Sequence, residues 1–306
     1  MLEGMATPRT PFTGCGTALV TPFAADASLD EPAIGRLARR QVEQGIHFVV
    51  PVGTTGEAPT LSAAERKRVI ALVVEAVEGR VPVLAGAGGY DTNEVVRAAA
   101  EAREAGADGI LSVAPYYSKP TQEGLYRHYA TIAASTPLPI ILYNVPGRTG
   151  CNIEPATVER LAEIPNIVGI KEASGNVFQM ADVRRRVPHP FLVLSGDDTL
   201  TLPVMALGGD GVISVAGNEV PHEMAQLAEH CERGDFGAAR TLHERLLPLL
   251  QANFFESNPI PVKAAMGLMG LLSPVYRLPM VPPSDATIAR LEAVCRGLGL
   301  ADKAHA

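Results

Sequence analysis

The chain has 306 residues, is 47% hydrophobic and carries a formal net charge of −7. That is enough apolar material for one large core, and the acidic balance argues against a nucleic-acid backbone as partner; the run Arg184, Arg185, Arg186 reads as a helix end and not a phosphate patch. No apolar run approaches the roughly 18–20 residues a membrane span needs, and Met1–Thr10 lacks the apolar core of a signal peptide.

In chain order, the first β-rich segment is Gly16–Pro22. The turn after it, "TPFAADASLD", has no GxGxxG, so a dinucleotide fold has no fingerprint here. Phe48–Val52 follows and opens into "VGTTGE". The stretch "SAAERKRVIALVVEAVEG" then places Ser62 and Glu65 at capping-box spacing and stops at Gly79. Val81–Ala85 leads to "GAGGYD", a glycine cluster without dinucleotide spacing, and to a helix from Asp91 to Gly106. Gly109–Val113, Pro139–Asn144, Ile167–Lys171, Phe191–Ser195 and Gly211–Val215 repeat the pattern, with helical stretches such as "EPATVERLAEIP" and "PHEMAQLAEHCERG" between or after them. The β-rich runs are continuously apolar, as strands covered on both faces should be. Their separation of about 20–35 residues is the size of a βα unit, and eight units predict an α/β fold, a (β/α)₈ TIM barrel. The barrel is expected over residues 11–234 as the catalytic domain. Three further helices over 235–302 form a C-terminal extension that need not fold alone.

Met5 offers an alternative start, with Met1–Gly4 as a leader. Cys15, Cys151, Cys231 and Cys295 are scattered without a CxxC pair, which favours neither a disulfide framework nor a zinc site and points to a reducing cytoplasm.

A barrel of this kind builds its active site at the C-terminal ends of the strands. Those ends supply Thr54 and Thr55; Tyr116, Tyr117 and Lys119; Tyr143, Asn144 and Arg148; Lys171 and Glu172; and Asp197 and Asp198. No histidine falls among them, and two adjacent aspartates make a poor metal site, so no metal is expected. Those aspartates can instead cap the next helix. Lys171 stands out because Ile167, Val168, Gly169 and Ile170 precede it. A free lysine has a pKa near 10.4, so about one in 2,500 is neutral at pH 7. An apolar strand end disfavours the ammonium and favours the neutral amine, which can attack a ketone and form an imine. Glu172 faces the other way if the strand alternates. Taken alone, a lysine at a strand end is an ordinary rim residue, "GTTGE" an ordinary turn, Tyr143 a packing residue and Arg148 a solvated loop residue. Together they form a set suited to amine chemistry on a carboxylate-bearing substrate, with the turn's N–H groups and Arg148 as carboxylate holders.

The stretches "VGTTGE", "APYYSKPTQEGLYRHY", "LYNVPGRTG", "GIKEASG", "SGDD" and "GVISV" resemble the dihydrodipicolinate synthase and N-acetylneuraminate lyase family of pyruvate-dependent class I aldolases. The likeness runs from "GCGTALVTPF" to "ESNPIPVKAA", nearly the whole chain. The arginine in "YNVPGRTG" is similar to the dihydrodipicolinate synthase branch. This resemblance implies a Schiff base between Lys171 and pyruvate, with Thr55 holding the pyruvate carboxylate. It implies proton transfer by Tyr143, linked through Thr54 to Tyr117 of a neighbouring subunit. Arg148 would bind the carboxylate of aspartate semialdehyde, and backbone groups near Gly196 and Ile213 would line the pocket. The implied reaction yields 4-hydroxy-tetrahydrodipicolinate on the route to lysine and diaminopimelate, without any cofactor, in a homo-oligomer of tight dimers paired into a tetramer.

The chain departs from the pattern of lysine-sensitive members: Ala58, Ala63, Arg66 and Tyr90 occupy regulatory positions, and only Glu94 and Tyr116 match, which implies weak or absent lysine inhibition. Rival readings are a same-fold aldolase acting on a sugar acid or hydroxy-oxoglutarate, and a non-catalytic barrel that binds a keto acid. Pyridoxal phosphate is disfavoured because no dedicated phosphate loop is evident.

Overall fold

A computed structural model describes residues 11–301. The alternative start at Met5 and the last residue of the expected extension, Asp302, lie outside them. Eight strands form one parallel sheet: β1 (Gly14–Ala18), β2 (Phe48–Val50), β3 (Leu84–Gly86), β4 (Gly109–Val113), β5 (Ile140–Asn144), β6 (Ile167–Glu172), β7 (Leu192–Ser195) and β8 (Gly211–Ser214). Their order around the sheet is β2-β1-β8-β7-β6-β5-β4-β3. The two outer strands meet in a parallel bridge between Val49 and Val83, reinforced by Val49 N–H to Pro82 O at 3.0 Å and Gly86 N–H to Pro51 O at 2.9 Å. The sheet therefore closes into the expected (β/α)₈ barrel, with helices between successive strands.

Only β4 has both boundaries of the sequence reading; every other strand shifts at one end or both, by one or two residues except at two ends, which shift further. The first strand ends at Ala18 and not at Pro22. Leu19 N–H still reaches Val50 O, but Val20 N–H turns to the Asn218 side chain, and Pro22 has no N–H to give. The third begins at Leu84 and not at Val81. Pro82 again lacks a donor, and Val83 N–H is taken by the Asp108 carboxylate at 2.8 Å.

Alternation along each strand separates two cores. One cluster, including Val50, Leu111, Ile141, Leu194 and Ile213, fills the barrel interior. A larger one packs the outer face against the helices. Gly16 is needed for this packing: a Cβ there would lie 2.1 Å from the Phe48 ring. The helix Ala63–Val77 starts with the capping box read from the sequence: Glu65 N–H donates to Ser62 Oγ, and Ser62 N–H donates to the Glu65 carboxylate. Arg184, Arg185 and Arg186 do end a helix, Val177–Arg186. All four cysteines are buried and free. No described helix is long and apolar enough to cross a membrane.

The three C-terminal helices, Phe236–Ala252, Ile260–Leu268 and Asp285–Gly297, form as expected. They are fastened to the β2 end of the barrel by charge. Lys263 Nζ lies 2.6 Å from Glu57 Oε1, with both side chains buried, and donates also to Thr21 O at 3.1 Å and Val275 O at 2.5 Å. Arg277 stacks on Phe23, its centre 4.4 Å from the ring, and makes a two-pronged pair with Glu65 at 2.6 and 3.1 Å. That guanidinium holds the Glu65 carboxyl down at about 2.

Candidate active site

The mouth of the barrel collects residues from the ends of β1, β2, β5, β6, β7 and β8 and from the extension. Lys171 is on the inward face of β6, beside Tyr143 of β5 and Leu194 of β7 in register. It is 5% exposed. Its Nζ lies 4.4 Å from the centre of the Tyr143 ring, and among the described residues it has neither a hydrogen-bond nor an ion-pair partner. Glu172 faces outward, as alternation requires. It is fully buried on the helix side, where Asn144 Nδ2, Gln179 Nε2 and Ser174 N–H donate to it at 2.9, 3.1 and 2.6 Å. The neighbouring carboxylate is thus satisfied without neutralising the lysine.

A second buried lysine makes the contrast plain. Lys263 has three N–H bonds and three acceptors, Glu57, Thr21 O and Val275 O, so its ammonium is saturated. Burial pulls its pKa down while Glu57 pulls it up. Lys171 has an aromatic face beside it but no anion, so nothing commits its nitrogen.

Lys171 opens on a cavity of about 110 Å³ lined also by Thr54, Thr55, Tyr143, Arg148 and Gly196. The structure therefore brings six of the eight expected site residues together. Thr54 and Thr55 come from the glycine-flanked turn after β2, where Gly56 N–H bonds to Gly53 O at 3.1 Å. Neither the Thr54 nor the Tyr143 hydroxyl is engaged by another described residue. Arg148 sits in the single helical turn Pro146–Thr149 after β5. The reason for Gly196 is steric: a Cβ there would lie 2.6 Å from Ala173 Cβ and 3.0 Å from Lys171 Cε. Any side chain would press on the lysine stem.

The other two expected residues are elsewhere. Ile213 packs inside the barrel and does not line the cavity; Val215, two residues further along the same chain direction, does. Tyr117 is 92% exposed, with a left-handed φ of 70° and its N–H bonded to Thr149 O, and is not on the wall of the Lys171 cavity. Asp197 and Asp198 have separate tasks. Asp197 accepts from Thr199 N–H at 2.8 Å and caps the short helical turn that follows. Asp198 is buried and accepts from Val215 and Ala216 N–H, both at 2.9 Å; desolvation nevertheless raises its pKa.

Sequence reasoning missed Asn258, Phe254, Val215 and Ala173, all on the cavity wall. Asn258 is one of four polar residues in "ESNPIPVKAA", with Glu256, Ser257 and Lys263, and nothing local singles it out.

A larger cavity of about 480 Å³ adjoins the first and shares Gly53, Thr54, Tyr143 and Arg148 with it. Ala58, Arg66, Tyr90, Glu94 and Tyr116 lie on its wall; Ala63 does not. Tyr90 and Tyr116 meet edge to face with centroids 5.3 Å apart, and Glu94 is paired with Arg97.

Comparison with known proteins gives a consistent picture. The family described as "Dihydrodipicolinate synthetase family" matches residues 11–296. The chain is 52% identical over 288 residues to the 4-hydroxy-tetrahydrodipicolinate synthase of Koribacter versatilis, covering 94% of this chain and 96% of that one. The crystal structure of dihydrodipicolinate synthase from Aquifex aeolicus is 44% identical with a TM-score of 0.93, covering 95% of this chain and all of that one. A monomeric dihydrodipicolinate synthase variant is 43% identical with a TM-score of 0.93, covering 96% and 99%.

Proposed function

The chain belongs to the dihydrodipicolinate synthetase family, and we propose that it condenses pyruvate with aspartate semialdehyde through a Schiff base on Lys171, giving 4-hydroxy-tetrahydrodipicolinate for lysine and diaminopimelate synthesis. The observation that carries this reading is Lys171 itself: a nearly buried amine with no ion-pair partner, on the wall of a cavity that also holds Thr54, Tyr143 and Arg148. Nζ attacks C2 of pyruvate and water leaves, giving the imine. Loss of a proton from C3 gives an enamine, whose carbon attacks the aldehyde. The product amine then cyclises onto C2 and frees the lysine. Thr55 holds the pyruvate carboxylate, and Tyr143 and Thr54 move protons beside Nζ. The test is to incubate the protein with pyruvate, reduce with borohydride, locate the adduct by mass, and then assay with aspartate semialdehyde. An unmodified Lys171 in an active enzyme overturns the reading.

Arg148 is the specificity element, facing a substrate that carries its own carboxylate. Loss of a charge-assisted contact of this kind costs about 1.5–3 kcal/mol, so Arg148→Ala should lower kcat/KM for aspartate semialdehyde roughly 10- to 100-fold. Pyruvate trapping should change far less. Equal losses with both substrates would return the sugar-acid alternative, which the names of the relatives do not favour.

Tyr117 completes the proton relay of a second copy of the chain. Its exposure beside the strand ends suits a side chain that crosses an interface, so the working unit is a dimer, itself paired into a tetramer. Sedimentation of fully active protein as a monomer overturns this assignment.

Lysine is a poor effector. Arg66 sets a guanidinium against a cationic ligand in the larger cavity, Ala58 offers no hydrogen bond, and Glu94 is already occupied by Arg97. Activity should persist in millimolar lysine; half-inhibition at sub-millimolar lysine contradicts the prediction.

A further inference from the structure

We propose that Asn258, supplied by the C-terminal extension, is a positioning residue that fixes the direction of the Thr55 hydroxyl proton and thereby sets the affinity of the site for the carboxylate of its oxo acid. The inference rests on the pyruvate reading above. Asn258 is 4% exposed, lies between the helices Phe236–Ala252 and Ile260–Leu268, and forms part of the cavity wall beside Lys171. Its Nδ2 donates to Thr55 Oγ1 at 2.9 Å. An amide N–H can only donate, and a hydroxyl has one proton. With its oxygen accepting from Asn258, Thr55 cannot return that proton to its partner, and no other described residue accepts it. Thr55 borders the cavity, so its O–H is left to donate to a ligand there. Without Asn258 the hydroxyl could turn to a neighbouring carbonyl and present a lone pair to the carboxylate.

Two further observations point the same way. The Asn258 main-chain carbonyl accepts from Arg148 Nη2 at 3.4 Å, so one residue restrains both carboxylate holders. Its Oδ1 is buried without a partner. An unmet acceptor is a cost that space-filling alone does not explain, since an apolar side chain would avoid it. The placement is also anchored: five residues on, Lys263 is ion-paired to Glu57, two residues beyond Thr55.

The test is a cycle of Asn258→Ala, Thr55→Val and the double variant, read as the pyruvate concentration that half-saturates borohydride trapping, with aspartate semialdehyde absent. Thr55→Val should raise that concentration about tenfold or more. Asn258→Ala should raise it severalfold, while the amount of adduct trapped at saturating pyruvate stays within about twofold. In the Thr55→Val background, removing Asn258 should change it by less than about twofold. Losses that multiply in the double variant overturn the proposal, because Asn258 would then act independently of Thr55. The near-isosteric Asn258→Asp guards against a folding failure. Its carboxylate can only accept, so it draws the Thr55 proton inward, and unchanged half-saturation in this variant also overturns the proposal. If the unmutated protein traps no pyruvate, the functional reading fails; if it traps and the Asn258 variants match it, only the present inference fails.

Discussion

Lys171→Met should leave a folded protein that gives no borohydride-trapped adduct and turns over at least about 10³-fold more slowly, a loss of more than about 4 kcal/mol of transition-state stabilisation. Methionine is chosen because it keeps the length and the apolar stem. The space around the stem is already cleared by Gly196, and the Tyr143 ring stays in contact. What disappears is the nitrogen, and with it the only covalent route to the enamine. The result separates this lysine from its neighbour in kind. Lys263 remains in the variant, but its three N–H groups are donated to Glu57, Thr21 O and Val275 O, and it has no lone pair to offer while so bound. A pyruvate adduct found on Lys263 in Lys171→Met, or turnover close to the starting level, sinks the assignment. Circular dichroism and melting of the variant confirm that loss of activity is not loss of fold.

The contrast between the two lysines also marks what the sequence could and could not disclose. Lys171 follows a continuous apolar run at a strand end, so its inward, desolvated setting could be read directly, as could the outward turn of Glu172. The barrel was equally readable, because strands buried on both faces and helices between them impose different periodicities on one chain. The edges of β1 and β3 were not, since they depend on which carbonyls and side chains meet the N–H groups near Pro22 and Pro82. Asn258 was hidden for a related reason. It reaches Thr55 across 203 positions, and no local pattern encodes a contact made by docking an extension onto a barrel mouth. Ile213 marks the same limit from the other side: its side chain packs in the barrel interior, and Val215, just past the end of β8, is the residue on the cavity wall.

These placements imply that the extension is not an ornament on a complete barrel. The turn Gly53–Glu57 carries Thr54 and Thr55, and it is held both by the barrel, where Thr21 Oγ1 donates to Gly56 O at 2.7 Å, and by the C-terminal part of the chain, with Asn258 on Thr55, Lys263 on Glu57, and Arg277 on Thr60 O and Glu65. Glu57 itself has a left-handed φ of 54°, an arrangement that costs a non-glycine residue and persists only where its surroundings over-determine it. A barrel cut at residue 234 would lose the Asn258 and Lys263 holds on this turn and keep only the Thr21 bond.

Lys263→Met tests that dependence most severely. Removing one partner of a buried ion pair strands the other charge, which typically costs about 3–5 kcal/mol. Here the stranded group is Glu57, buried in the turn that shapes the site, and among the described residues only the Arg277 N–H, at 3.5 Å, is still directed at its carboxylate. Melting should fall by roughly 6–15 °C, and pyruvate trapping should weaken in the protein that remains folded. The double variant Glu57→Gln with Lys263→Met removes both charges, and because a buried pair replaced as a unit is often close to neutral, it should recover at least half of the lost stability. Recovery of stability without recovery of trapping would separate the pair's two contributions: packing of the extension is restored by uncharged side chains, whereas the left-handed turn needs the ionic tether. A Lys263→Met melting temperature within about 2 °C of the parent contradicts the whole scheme, since an extension that can lose its central tether at no cost is not what holds Thr54 and Thr55 in place.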